Sequence, residues 1–155
     1  MTALVQGDAV RLPFADAAFD TVIACWLSTD VDDLAAVVRE VARVLRPQGQ
    51  FVHVSAHPCF TGPHTEALPD DSRLVHPTYR VEGLHEPAPW WRPGGIRSRI
   101  PLHHRSLSTL LACFCDNGLL LREATEPGDS AVPWTLGLRF SRPGYELASP
   151  GDPRS

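Results

Sequence analysis

Lysine is missing from this 155-residue chain: all 14 basic residues are Arg, set against 18 acids for a net charge of -4. No electrostatic role demands Arg at every position, so the bias is one of composition. The acidic balance offers no broad positive field for a phosphate backbone, and nucleic acid is excluded as an expected partner. No apolar run approaches the roughly 18 residues of a membrane span, and MTALVQGDAV has neither the basic start nor the apolar stretch of a signal peptide. The expectation is a cytoplasmic chain with no membrane partner. The four cysteines (Cys25, Cys59, Cys113, Cys115) form no C-x-x-C pair, so neither a zinc ribbon nor a dithiol redox motif is written here. Repeats and low-complexity blocks are also lacking.

What is present is ordinary for a folded domain: 43% hydrophobic and 21% charged residues, with 15 Pro and 11 Gly below the level that signals disorder. The length predicts one domain. Its expected bounds are 1–142, with a flexible tail over 143–155.

Ala3 to Val5 reads as a short buried strand ending at Gly7 and Asp8, and FDTVIACW (19–26) as a strand covered on both faces. A helix follows, with Asp30 as N-cap, Asp32 and Asp33 in the first turn, and one apolar stripe of Leu34, Val37, Val38, Val41, Ala42 and Leu45. Arg43 and Arg46 suit its negative end, and Pro47 with Gly49 ends it. FVHVS (51–55) is again a strand. Strand, helix, strand within about 40 residues is a βαβ unit, which sets the class as α/β with a parallel arrangement. Residues 57–101 lack periodicity and read as one long loop, a length usually tied to function. A second helix opens at Ser106 and closes on Asn117 and Gly118 in the left-handed region, followed by strands over 119–124 and 134–140.

Three stretches carry a resemblance to a known family. GDAVRLPFADAAFDTVIA, REVARVLRPQGQFV, and HHRSLSTLLACFCDNGLLLREATEP followed by PWTLGLRF are together, and in this order, similar to the class I S-adenosylmethionine-dependent methyltransferases, in particular the type 11 group. The resemblance implies an incomplete doubly wound, Rossmann-like sheet, mostly parallel with an antiparallel last strand. The family begins with a strand, a G-x-G-x-G turn and a helix that cradle the cofactor, then a second strand ending in an acid, and neither occurs here. In the family's strand order, 3-2-1-4-5-7-6, the missing pair falls between this chain's first two strands. FDTVIACW would then present an unpaired edge, and the expected remedies are a slid first strand, a homodimer or complementing chain, or truncation of a longer product. Truncation is the favoured expectation.

The implied function is methyl transfer from S-adenosylmethionine to a small-molecule acceptor, with a non-catalytic remnant acting through dimer or partner pairing as the alternative. The reaction is an in-line displacement that needs positioning and exclusion of water more than side-chain chemistry. By resemblance, Asp8 accepts from the adenine amino group, the Ala9 N–H meets a ring nitrogen, and Cys25 and Trp26 line the pocket beside the cofactor's methionine. Asp8 also fits a turn residue capping its own loop, and Cys25 a small buried hydrophobe.

The candidate bases are His53, His57, His103 and His104, since imidazole titrates near neutrality. His57, just after a strand, is preferred, whereas His103 and His104 equally fit solvated residues ahead of a helix. His57, Cys59 and His64 match no standard zinc spacing, so no metal is expected. Tyr79, Trp90 and Trp91 fit either a wall over an apolar substrate or anchors for the loop, and Arg97, Arg99 and Arg105 fit either contacts to an anionic group or solvated surface.

Overall fold

The computed structural model describes residues 4–91 and 94–144. Its order is β1 (Phe19–Cys25), α1 (Leu34–Val44), β2 (Leu45–Ala56), β3 (Thr65–Ala67), β4 (Arg73–Val75), β5 (Gly83–His85), a 3-10 turn (Ile96–Ser98), β6 (Leu102–His104), α2 (Leu107–Asp116), β7 (Leu120–Thr125) and β8 (Thr135–Ser141). The main sheet runs β1-β2-β8-β7. β1 pairs in parallel with β2, while β8 lies antiparallel to both β2 and β7. Three strands therefore share one direction and the last is reversed, as an incomplete methyltransferase-type sheet requires.

α1 forms because its apolar residues fall on one face: Leu34, Val37, Val38, Val41 and Val44 are all buried. The N-cap is Asp33, whose carboxylate accepts from Ala36 N–H at 2.8 Å, and Asp30 is instead drawn into a bond with Arg97. The helix passes straight into β2, because Pro47 is taken up in the strand rather than beyond it. The register slips there, between Phe19 and Thr21 of the facing strand. Only glycine fits at 49, since a Cβ would stand 2.8 Å from the Arg46 carbonyl oxygen. At the end of α2, Gly118 takes the left-handed conformation (φ 92°), whereas Asn117 stays at φ -104°.

Both helices cover the same face of the sheet, packing against Phe51, Leu138 and Phe140. The other face is bare of helices among the described residues. FDTVIACW is therefore not buried on both sides: Ile23 is 64% exposed. Among the described residues the expected first strand is not formed either. Ala3 lies outside the described residues, and Leu4 and Val5 are exposed and unpaired, so β1 ends the sheet with an open edge. Most of the expected tail, from residue 145, also lies outside the described residues.

The long segment 57–101 is not featureless. β3 pairs with β4, and β5 pairs with β6, as two small antiparallel ribbons. They form a lid beyond the carboxyl ends of β1 and β2, with His64 and His104 buried inside it.

Candidate functional site

A cavity of about 680 Å³ opens between this lid and the main sheet. Trp26 enters it from the end of β1, Ala56 from the end of β2, and Trp134 from the start of β8, with Phe60, Trp90 and Trp91 supplied by the lid. This is the carboxyl edge of the parallel strands, where open α/β sheets bind ligands. Four tryptophans and Phe60 give the wall its large apolar rings, the lining expected for an apolar or aromatic molecule, while Asp30, Arg73, Arg97 and Arg105 add charged groups.

Trp26 earns its position through its backbone. It adopts φ 58°, an outlier for a bulky residue, held by its N–H donating 2.7 Å to the Val54 carbonyl. That left-handed step turns the chain out of the sheet at its ligand-binding edge. The following loop is fixed by two arginines. Arg97 makes a two-pronged pair with Asp30 (2.7 and 3.0 Å) and reaches Thr29 Oγ1 at 3.0 Å. Arg105 donates to the Ser28 and Val31 carbonyls at 2.7 and 2.9 Å. Both guanidiniums thus have internal partners and act as clamps, while Arg99 is exposed and off the wall. Sequence alone could not separate these roles, since the partners lie more than 60 residues away.

Asp8 and Ala9 sit in the turn before β1. Asp8 Oδ1 accepts from Val10 N–H at 3.0 Å and its carbonyl accepts from Arg11 N–H at 3.0 Å, so the residue caps its own loop. The Ala9 N–H meets no partner among the described residues. A node behind this turn anchors it to α1. Arg43 donates to the Leu12 and Phe14 carbonyls and pairs with Asp16 and Glu40, and Glu40 accepts from Leu12 N–H at 2.8 Å. The Arg43 hydrogen bond holds the Glu40 carboxyl down at about 2. Cys25 is exposed at the end of β1.

His57 is only 3% exposed and is not part of the cavity wall. Its Nε2–H donates to Glu126 Oε1 at 2.8 Å, and its Nδ1 accepts from Cys59 N–H at 3.2 Å. Both nitrogens are occupied, so the ring ties the loop after β2 to the end of β7. His53 points the other way, into the core between Phe51 and Phe114, with neither ring nitrogen bonded. Burial pushes its imidazole down to about 4.

His103 and His104 both line the cavity. His104 is buried, not solvated, and its Nε2–H donates 2.7 Å to the Tyr79 carbonyl. Tyr79 itself is not on the wall; its hydroxyl accepts from Leu107 N–H at 2.7 Å and so secures the start of α2. Trp90 and Trp91 both line and anchor, Trp90 stacking on His76 at 4.3 Å and Trp91 donating to the Gly62 carbonyl. Among the described residues no cluster of three or more His, Cys, Asp or Glu is arranged to hold a metal, and no helix is long and apolar enough to cross a membrane.

Comparison with known proteins agrees with the fold. A family model described as a methyltransferase domain matches residues 2–53. A demethylmenaquinone methyltransferase of Mycobacterium marinum is 52% identical over 145 residues, covering 92% of this chain and 57% of the relative. A fatty-acid O-methyltransferase of Mycolicibacterium smegmatis is 41% identical over 70 residues, covering 45% of this chain and 26% of that protein. The chain thus spans little more than half the length of the first of these relatives. Among solved structures, an S-adenosylmethionine-dependent methyltransferase from Mesorhizobium loti aligns with TM-score 0.68 at 22% identity, over 88% of this chain and 68% of that one.

Proposed function

We propose that this chain, which belongs to the class I S-adenosylmethionine-dependent methyltransferases, supplies the acceptor-binding part of a cytoplasmic site that moves a methyl group to a small apolar or aromatic molecule. The observation that carries the reading is the aromatic cavity at the carboxyl ends of β1 and β2, on one side of which stand Trp26 and the clamped Thr29–Asp30 loop. Residues 1–142 act in it as one domain.

The cofactor fits in part. Asp8, with an exposed carboxylate, and Ala9, with an unpartnered N–H among the described residues, fit the adenine end, and Cys25 and Trp26 would border the methionine end. A G-x-G turn to cradle that end does not occur in the sequence. When bound, S-adenosylmethionine supplies a methyl group carried on a sulfonium. The chain's own residues then orient the acceptor and keep water out: the tryptophans cover it, and Arg97 and Arg105 hold the rim. We assign His57 to positioning, because its lone pair is already given to the Cys59 amide.

A second reading has its own observation, the unpaired edge of β1. A strand from a homodimer partner or a complementing chain would pair there, and the protein would then serve as a non-catalytic remnant acting through that contact. Titration calorimetry with S-adenosylmethionine separates the two. The enzyme reading expects saturable heat that is lost in Asp8→Ala; absence of any heat together with a sedimenting species above 17.0 kDa favours the remnant, and a stable monomer of that mass counts against pairing.

A further inference from the structure

Two imidazoles inside the lid are fixed in the same tautomer. His104 Nε2 lies 2.7 Å from the Tyr79 carbonyl oxygen and His64 Nε2 lies 3.3 Å from the Cys59 carbonyl oxygen. A carbonyl only accepts, so each Nε2 carries the hydrogen and each Nδ1 is left with a lone pair. The rings lie tilted at 49° to each other with centroids 4.6 Å apart. Both Nδ1 atoms face Gly62, where a Cβ would stand 3.3 Å from His64 Nδ1 and 3.7 Å from His104 Nδ1. His64 is fully buried and its Nδ1 has no partner. His104 Nδ1 has no partner among the described residues either, and the residue forms part of the cavity wall with Gly62 and Thr65. Of the two rings only His104 reaches the cavity wall, so the lid presents one imidazole acceptor there, with His64 buried behind it.

Resting on the acceptor-cavity reading above, we propose that His104 Nδ1 receives a hydrogen bond from a hydroxyl of the methyl acceptor, so that the favoured substrates are apolar or aromatic molecules bearing a protic group, oriented by His104 with His64 packed behind it. The groups facing His104 are His64 and Tyr79 from the lid, His85 and Glu82 from β5 and its approach, and Arg105 at its own carboxyl side. Burial is the largest influence and pushes the His104 imidazole below its ordinary range, with His85 and Arg105 adding to that and the Tyr79 carbonyl and Glu82 opposing it. The neutral, accepting form is thus the one present at neutral pH.

The test uses two probes on the intact chain, 4-ethylphenol and its O-methylated counterpart 4-ethylanisole, which differ in the proton offered. Binding is read by quenching of tryptophan fluorescence, since four of the wall residues are Trp. The phenol is expected to bind about tenfold more tightly than the ether, the size of one hydrogen bond in a dry site. His104→Leu should abolish that preference, bringing the ratio of the two affinities to about one, and acidification below the ordinary imidazole range should do the same in the unaltered chain. Equal binding of both probes, or a preference that survives His104→Leu, overturns the inference and leaves the cavity reading intact. If neither probe quenches, the cavity reading falls and this inference with it.

Discussion

His53 and His104 are both hidden from solvent, yet they are buried on opposite terms. In the sheet core, His53 sits 5.0 Å from the Phe114 ring with no hydrogen bond to either nitrogen. In the lid, His104 Nε2 is bonded at 2.7 Å, and both nitrogens of His57 are bonded, at 2.8 and 3.2 Å. The core accepts a destabilising polar side chain because the surrounding phenylalanines supply ample apolar burial, whereas the lid, with little core of its own, is held together by polar bonds. The lesson is that one residue type serves as ballast in one layer and as joinery in the other, according to what surrounds it.

Four variants sharpen or break that contrast. Phe114→Ala removes the ring that meets Phe51, His53 and Phe140, and should cost about 3–5 kcal/mol, read as a lowered urea midpoint for the whole domain. His53→Leu should gain about 2 kcal/mol at pH 5 by deleting an unsatisfied polar group. The sign follows from linkage: the unfolded chain takes up a proton near 6.5, the folded one near 4, so stability is complete above 6.5 and falls as pH drops through that interval. His53→Leu should flatten this slope; an unchanged pH profile would contradict the core assignment. In His57→Ala, amide exchange at Cys59 to Thr61 should speed up by the equivalent of about 1–2 kcal/mol while the global midpoint barely moves. If the midpoint fell as far as in Phe114→Ala, lid and core would be one cooperative unit and the contrast would fail. Smallest is Asp33→Ala, expected to cost about 1 kcal/mol through the lost cap of α1, measured by thermal unfolding.

The parts legible in the sequence are those governed by short-range pattern. The α1 stripe and the opening of α2 at Ser106 appear where the sequence pattern puts them, whereas along the last strand Leu136, Leu138 and Phe140 are buried but Trp134, two residues earlier in the same alternation, is 54% exposed. Asp33 displaced Asp30 as cap because a distant arginine, Arg97, claims Asp30. Val5 reads as strand by composition, yet a strand exists only when paired, and among the described residues no neighbouring strand reaches it. The lid strands, three residues each, are too short to show alternation, and their order comes from cross-strand bonds and buried histidines. Of the candidate site, Trp26, Trp90 and Trp91 were visible as aromatics at plausible places, but Phe60 and Trp134 join them only through tertiary folding. His104 looked like a helix-approach residue, and nothing local signals that its ring is enclosed by residues from 64, 79 and 85.

The central claim is that this sheet retains a cofactor edge beside β1 despite carrying no glycine-rich cradle. Titrating S-adenosylmethionine into isotope-labelled protein and following the backbone amides reads that edge directly, even at millimolar affinity. The account predicts saturable shifts clustered at Ala9, Val10, Cys25 and Trp26, with β7 and the outer half of β8 unmoved. Shifts absent from that cluster at saturating ligand, or centred on β7 and β8 instead, would contradict it.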